Sequence, residues 1–505
     1  MPGSTPIIAP TGAPNPVADT LPRFAAVPVL SAAFAQLIVL AATANLYGYH
    51  RDELYFRMLP PAAGYVDQPP LTPAVARFFS TVVADEAWAI RIPAMVFAAA
   101  SVLVVALIAR EVGGGRFAQG LAAWGYAFAA FPLIFGHVLL TASLDLLVWP
   151  AVVLTVIRAV LRNRPRWWLV AGLIVGVSMY NKLLIALLLV SIVVGILAVG
   201  PRRILASWWP YAGAAIAVVI GTPNLVYQWT NGWPQLAMGR ALAENNADEV
   251  RILMWPLLLL LLGPLLVPTW VAGIVALVRR QEWRPIRFLV AALPVLLLLT
   301  FAGGSQFYYP LGLLACLYAI GCVPVTEWAQ ARFRRRGVVL GAVGVNALVS
   351  AVISLPVIPL SALGATPIPA INQVTADQIG WPEYVAQVEA VLEQADLPAE
   401  NTVILATNYG EAGALDRYGS AALPAVVSGH NALAELDRPG ADVSTVVLVG
   451  YQVRHLAQEF ETCEQVTTLD NALGVENEEQ GAPISICRGP LEAWSQLWDR
   501  IGHFD

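Results

Sequence analysis

The sequence predicts a polytopic α-helical membrane protein with a C-terminal α/β domain outside the membrane, and three observations predict it. First, 58% of the 505 residues are hydrophobic and 12% are charged, against about 25% charged in an ordinary soluble domain. Second, long apolar runs fill residues 25 to 359, whereas 360 to 505 are polar and mixed. Third, the arginines are one-sided. Seventeen of them, from Arg23 to Arg336, fall on one set of connecting loops; the other set holds seven basic residues (Arg51, Arg57, Arg77, Arg91, Lys182, Arg240 and Arg251).

Crossing the hydrocarbon core takes about 20 apolar residues. Such stretches lie at 25–48, 88–109, 117–139, 144–161, 167–181, 183–199, 207–226, 254–278, 288–303, 307–323 and 338–358, about eleven spans. The positive-inside rule makes the arginine-rich loops cytoplasmic. An odd number of spans then puts residues 360–505 outside, together with the loop at 49–87. Residues 1–24 are Pro-rich and lack the basic start of a cleaved signal peptide, so a disordered cytoplasmic tail is expected there. In the outer loop Leu71, Val75, Phe78, Phe79 and Val82 recur at helical spacing, which predicts a helix lying in the interface plane. Prolines 60, 61, 69, 70 and 73 make rigid corners around it.

Ionic groups in apolar spans are costly and mark function or pairing. Here they gather at the outer ends: Asp52, Glu53 and Asp67 in the loop, Arg91 at the start of the second span, Asp145 opening the fourth and Lys182 closing the fifth. Asp52 and Glu53 are adjacent, so on a helix they point about 100° apart. One is expected to face a cavity while the other caps or pairs. Asp52 alone also reads as an N-cap, as do Ser143 and Asp145 for their span. Lys182 is the single lysine of the chain. A compact ammonium suits a phosphate oxygen as a point charge, and an interfacial anchor is the competing reading. Tyr55, Gln68 and His137 are candidate cavity residues, with a packed or interfacial histidine as the alternative for His137. In "FAGGSQFYYPLG" (301–312), glycines and a proline break an apolar pattern, as happens where backbone lines a cavity. Gln306, Tyr308 and Tyr309 are candidate liners there, or else interfacial belt residues.

In the outer domain, β-branched runs ("TVILAT", "PAVVSG", "STVVLVG") alternate with a helical pattern ("WPEYVAQVEAVLEQA"), which predicts a small α/β layer. Asn408, Tyr409, Glu411, His430 and Asn431 are candidate acceptor contacts, or turn residues and caps. Cys463 and Cys487 can pair if this part faces an oxidising compartment; Cys316 and Cys322 read as packing residues. The net charge of −5 gives no sign of nucleic-acid binding. No nucleophile elbow and no zinc-spaced cluster is found.

"RDELYF", "GYVDQPPLTP", "RIPAMVFAAASVLVVAL", "TASLDLL" and "YNKLL", in that order, resemble the C-type (GT-C) glycosyltransferases. The likeness is to bacterial relatives of the protein O-mannosyltransferases and of the aminoarabinose transferase that modifies lipid A. The resemblance implies eleven to thirteen spans, an outer cavity roofed by the first loop, and a polyprenyl-phosphate-linked sugar as donor in a bacterial cytoplasmic membrane. It implies Asp52 as catalytic base, Arg91 as a donor-phosphate contact and Asp145 as a second catalytic carboxylate. Where the aminoarabinose enzymes carry Glu-Lys-Pro-Pro, this chain has Asp67-Gln68-Pro69-Pro70. A metal or acceptor role stays open to Asp67, which makes a divalent cation the one candidate cofactor. The missing cation argues against a lipid A phosphate as acceptor. The expected activity is transfer of the sugar, with inversion, to an envelope glycan, lipid or protein. A transporter or flippase of a lipid-linked or anionic substrate is the rival. Carriers place ionisable groups near the bilayer midplane and show repeated halves, neither of which is evident here.

Overall fold

The computed structural model describes residues 21–504 apart from Ser305 and Pro398. The tail expected over 1–24 lies, but for its last four residues, outside them. Helix α1 (Ala26–Thr43) leads into the loop at 49–87, which holds α2 (Arg51–Met58) and α3 (Leu71–Phe78). A π-helical turn, Phe79–Val83, extends α3. Phe78, Val82 and Val83 of this segment stay exposed while Thr72, Pro73, Ala76 and Ser80 are buried, the face division of a helix lying along an apolar surface.

The chain returns as α4 (Ala87–Glu111), then α5 (Arg116–Ala127), α6 (Ala130–His137), α7 (Thr141–Leu161), α8 (Trp167–Ser178) and α9 (Ile185–Val199). There follow α10 (Trp209–Thr230), α11 (Pro234–Leu260), α12 (Val267–Arg279), α13 (Phe288–Gly303), α14 (Leu311–Gln330) and α15 (Phe333–Ser354). Each predicted span is met by a helix or a pair of helices. Among the described residues seven are long and apolar enough to cross a membrane, or nine if each of two bent pairs counts as one. The shorter α8 and α9 are apolar but have only 12 and 15 residues.

The two bends correct the straight spans expected at 117–139 and 254–278. Between α5 and α6 the axis turns by 56°. Pro132 has no N–H for the Phe128 carbonyl, and its ring crowds that position. The second bend, 68°, lies between α11 and α12, where Gly263 has φ +97° and Pro264 follows. The freed backbone groups find partners. Phe131 N donates to Leu261 O (3.1 Å), Asn346 Nδ2 to Leu262 O (3.0 Å) and Ser354 Oγ to Ala130 O (3.1 Å). The two breaks are thus bonded to each other inside the protein, the condition for irregular backbone at membrane depth.

After α15, single-turn helices between 360 and 376 lead to α16 (Trp381–Gln394). Next come β1 (Thr402–Ala406), α17 (Tyr409–Tyr418), β2 (Ala425–Ser428), β3 (Thr445–Val449), β4 (Phe460–Thr468), β5 (Pro483–Pro490) and α18 (Trp494–Ile501). The sheet order is β2-β1-β3-β5-β4, with β2, β1 and β3 parallel and the β3–β5 and β5–β4 pairs antiparallel. Cys463 faces Cys487 across β4–β5, and the two form a disulfide. Trp494, Leu497, Trp498 and Ile501, one stripe of α18, cover one face of the sheet against Val403, Leu405 and Leu448. The other face is covered by α16 and α17, and its core does not stop at the domain edge. Leu54, Tyr55 and Phe56 of α2 and Ile90 of α4 belong to the same buried cluster as Trp381, Tyr384, Ile404 and Val447.

Candidate active site

Helix α2 begins with a reciprocal cap in which His50 Nδ1 accepts from Asp52 N (3.1 Å) and Glu53 Oε2 accepts from His50 N (2.9 Å). His50 therefore fills the capping position, and Asp52 is released from it. Glu53 is fully buried and accepts from Arg91 Nε (3.0 Å), Arg91 Nη2 (2.9 Å) and Leu139 N (2.9 Å). Arg91, also fully buried, donates further to Ala44 O (2.7 Å), Gly48 O (2.8 Å) and Gln378 Oε1 (3.1 Å). His137 is buried beside it, 3.4 Å from Nη1. Glu53 and His137, expected at a cavity, and Arg91, expected at a donor phosphate, are thus placed together in one buried cluster. The donors of Arg91 are spent on clamping α2 to α1, α4 and the segment after α15.

Asp52 points the other way. Its side chain is 29% exposed, and Oδ1 accepts from Tyr409 Oη at 2.9 Å. Asp67 accepts from Tyr55 Oη (3.0 Å) and from Gln68 Nε2 (3.0 Å), and burial pushes its carboxyl up to about 7. Tyr55 Oη in turn accepts from Ala432 N (3.2 Å). Across the groove, Asn181 Nδ2 donates to Thr141 O (2.8 Å) and to Asp145 Oδ1 (3.4 Å), while Asn181 Oδ1 accepts from Thr72 Oγ1 (2.6 Å). Leu71 N donates to Tyr180 O (2.9 Å). The loop helix α3 is thereby tied to the α8–α9 turn that carries Lys182. The lysine ammonium stands over the Tyr309 ring, 5.6 Å from its centre, within electrostatic reach of Asp145 and Asp52. Among the described residues it forms no ion pair, unlike Arg51 and Arg91.

Asp145, Tyr308 and Tyr309 line a small apolar cavity of about 30 Å³ with Tyr126, Phe135 and Trp149. Gln306 is half-buried just before them. Asp52, Asp67, Asp145, Lys182 and Tyr308 form one electrostatically connected group. No three His, Cys, Asp or Glu side chains converge as a metal site among the described residues.

In the outer domain, Asn408 caps α17 by accepting from Glu411 N (2.8 Å). Glu411, buried, accepts from Thr407 N (2.9 Å) and Asn408 N (3.0 Å). His430, also buried, accepts from Tyr409 N (3.2 Å), and Asn431 N donates to His503 O (3.0 Å). Of the candidate acceptor contacts, Asn408 and Glu411 thus bond within the start of α17, while Tyr409 faces Asp52. Three residues escaped the sequence reading. Asn181, an amide beside the lone lysine, carried a signal; Thr72 and Arg51 carried none.

Residues 67–227, about a third of the chain, match the family described as dolichyl-phosphate-mannose-protein mannosyltransferase. ArnT from Cupriavidus metallidurans, solved bound to undecaprenyl phosphate, superposes with a TM-score of 0.58 at 14% identity, over 91% of this chain and 98% of that one. The arabinofuranosyltransferase AftD from Mycobacteria gives a TM-score of 0.50 at 13% identity, over 93% of this chain and 40% of that longer one. No curated protein matches.

Proposed function

With the C-type glycosyltransferase fold of this chain as premise, we propose that it moves a sugar from a polyprenyl-phosphate donor to an acceptor hydroxyl on the outer side of the cytoplasmic membrane. One observation carries the reading. Asp52 is a partly exposed carboxylate left free of its helix cap, and Lys182, in no ion pair among the described residues, stands over the ring of Tyr309, which lines the apolar cavity together with Asp145. The arginine bias and the Cys463–Cys487 disulfide, which suits an oxidising compartment, support the outer location.

The acceptor oxygen attacks the anomeric carbon and passes its proton to Asp52. The bond from that carbon to the phosphate oxygen breaks, and its electron pair leaves on the phosphate, whose charge Lys182 offsets. We assign Asp145 to the oxocarbenium-like sugar and Asp67 to the acceptor. One direct displacement inverts the anomeric centre. The lipid tail stays in the bilayer throughout.

The test uses the purified full-length protein, undecaprenyl phosphate as binding probe, and a panel of undecaprenyl-phosphate-linked sugars, with mass spectrometry of the released lipid phosphate. Asp52→Asn is expected to lower turnover about 10²–10⁴-fold and to leave binding of undecaprenyl phosphate intact. Lys182→Met is expected to weaken that binding about tenfold or more. An Asp52→Asn protein as active as the parent, or Lys182→Met binding as tightly, overturns the assignment.

A further inference from the structure

Tyr409 is the first residue of α17, three positions beyond the end of β1. Its place is fixed from several sides. Its N–H donates to His430 Nδ1, its ring lies 4.8 Å from that of Tyr55, and the Arg51 guanidinium stands 4.9 Å from the ring centre. One turn later, Gly413 lets α17 lie directly on α2, because a Cβ there would sit 2.7 Å from Leu54 Cβ. This close approach brings the Tyr409 hydroxyl to Asp52 across 357 positions of sequence.

We infer that Tyr409 is the positioning residue of Asp52, and that the outer domain supplies it as a working part of the catalytic centre. The inference rests on the reading of Asp52 as the base. Burial and the neighbouring carboxylate push the Tyr409 phenol well above its usual range, so it remains a donor at any working pH. A carboxylate gripped at Oδ1 cannot rotate freely, and Oδ2 is the oxygen left to receive the acceptor proton. Misplacing a reacting group by about 1 Å can cost about 10²-fold, which is the scale on which such a grip acts. Tyr55 repeats the arrangement one step away. It donates to Asp67 while accepting from Ala432 N of the outer domain. The C-terminal domain thus acts on both loop carboxylates, directly through its own Tyr409 at Asp52 and, through the Ala432 N–H, on the loop's Tyr55 at Asp67.

The experiment compares Tyr409→Phe with the parent in the full chain, using the donor that the parent consumes. The expected result is a kcat lower by about tenfold or more, with KM for the donor and affinity for undecaprenyl phosphate unchanged. In an Asp52→Glu background, where the carboxylate has moved by one methylene, Tyr409→Phe is expected to cost nothing further; a merely structural role lowers both backgrounds equally. If the Phe protein is poorly folded, p-aminophenylalanine at 409, which keeps a donor on the ring, is expected to restore most of kcat. An unchanged kcat in folded Tyr409→Phe, equal losses in both backgrounds, or no rescue by the amine overturns the inference. Should Asp52→Asn be inactive while Tyr409→Phe is unaffected, only this inference fails. Should Asp52→Asn be active, the reading of the base fails and takes this inference with it.

Discussion

Asp52 and Glu53 are joined by one peptide bond and serve opposite purposes. Glu53 is buried against Arg91, and the pair is complete: guanidinium and carboxylate bond each other and nearby backbone groups. Breaking such a pair from one side strands a charge. Glu53→Gln is therefore expected to destabilise the protein by about 3–5 kcal/mol, read as a fall in the thermal unfolding midpoint in detergent. The adjacency of the two acids showed in the sequence that they must diverge. It could not show which one pairs, because the partner Arg91 lies 38 positions away. The surroundings of Arg91 were hidden for a related reason. Three of its acceptors are the Ala44 and Gly48 carbonyls and the Gln378 amide, and carbonyls leave no trace in a sequence. Lys182 was legible by rarity alone.

Among the elements, the apolar helices were legible because hydropathy reports burial in lipid directly. Both bends carried a proline, Pro132 and Pro264, but a hydropathy window runs through proline without seeing the lost N–H. The contact of α17 with α2 was illegible, since nothing local marks Gly413 as the point where two helices meet. Gly413→Leu is expected to force α17 away from α2. Overpacking of this kind costs about 1–3 kcal/mol, and the displaced Tyr409 is expected to lower turnover about tenfold or more. Unfolding midpoint and turnover together check it, and full turnover at a lowered midpoint would contradict the helix-contact argument.

At the scale of the whole molecule, the joint between the loop and the outer domain is rich in buried acids. Asp377 and Glu411 are pushed up to about 8, chiefly by desolvation, and Glu479 is raised as well, around the buried guanidinium of Arg51. A carboxyl whose folded value lies above its unfolded value holds more protons in the folded state, so stability falls as pH rises from about 4 through about 8. His50, lowered by burial from 6.5, works in the opposite sense at the acid end. The unfolding midpoint is thus expected to decline between about pH 7 and 8.5, above the 6.5 at which the opposing effect of His50 ends. Asp377→Asn is expected to flatten that decline, and an equally steep curve in the variant would remove Asp377 as its source. The shared cluster of Leu54, Tyr55 and Phe56 with Trp381, Tyr384 and Ile404 has one more consequence. A fragment begun at residue 360 would carry a hydrophobic wound where α2 used to lie, so the border that composition draws in this chain is no line along which it can be cut.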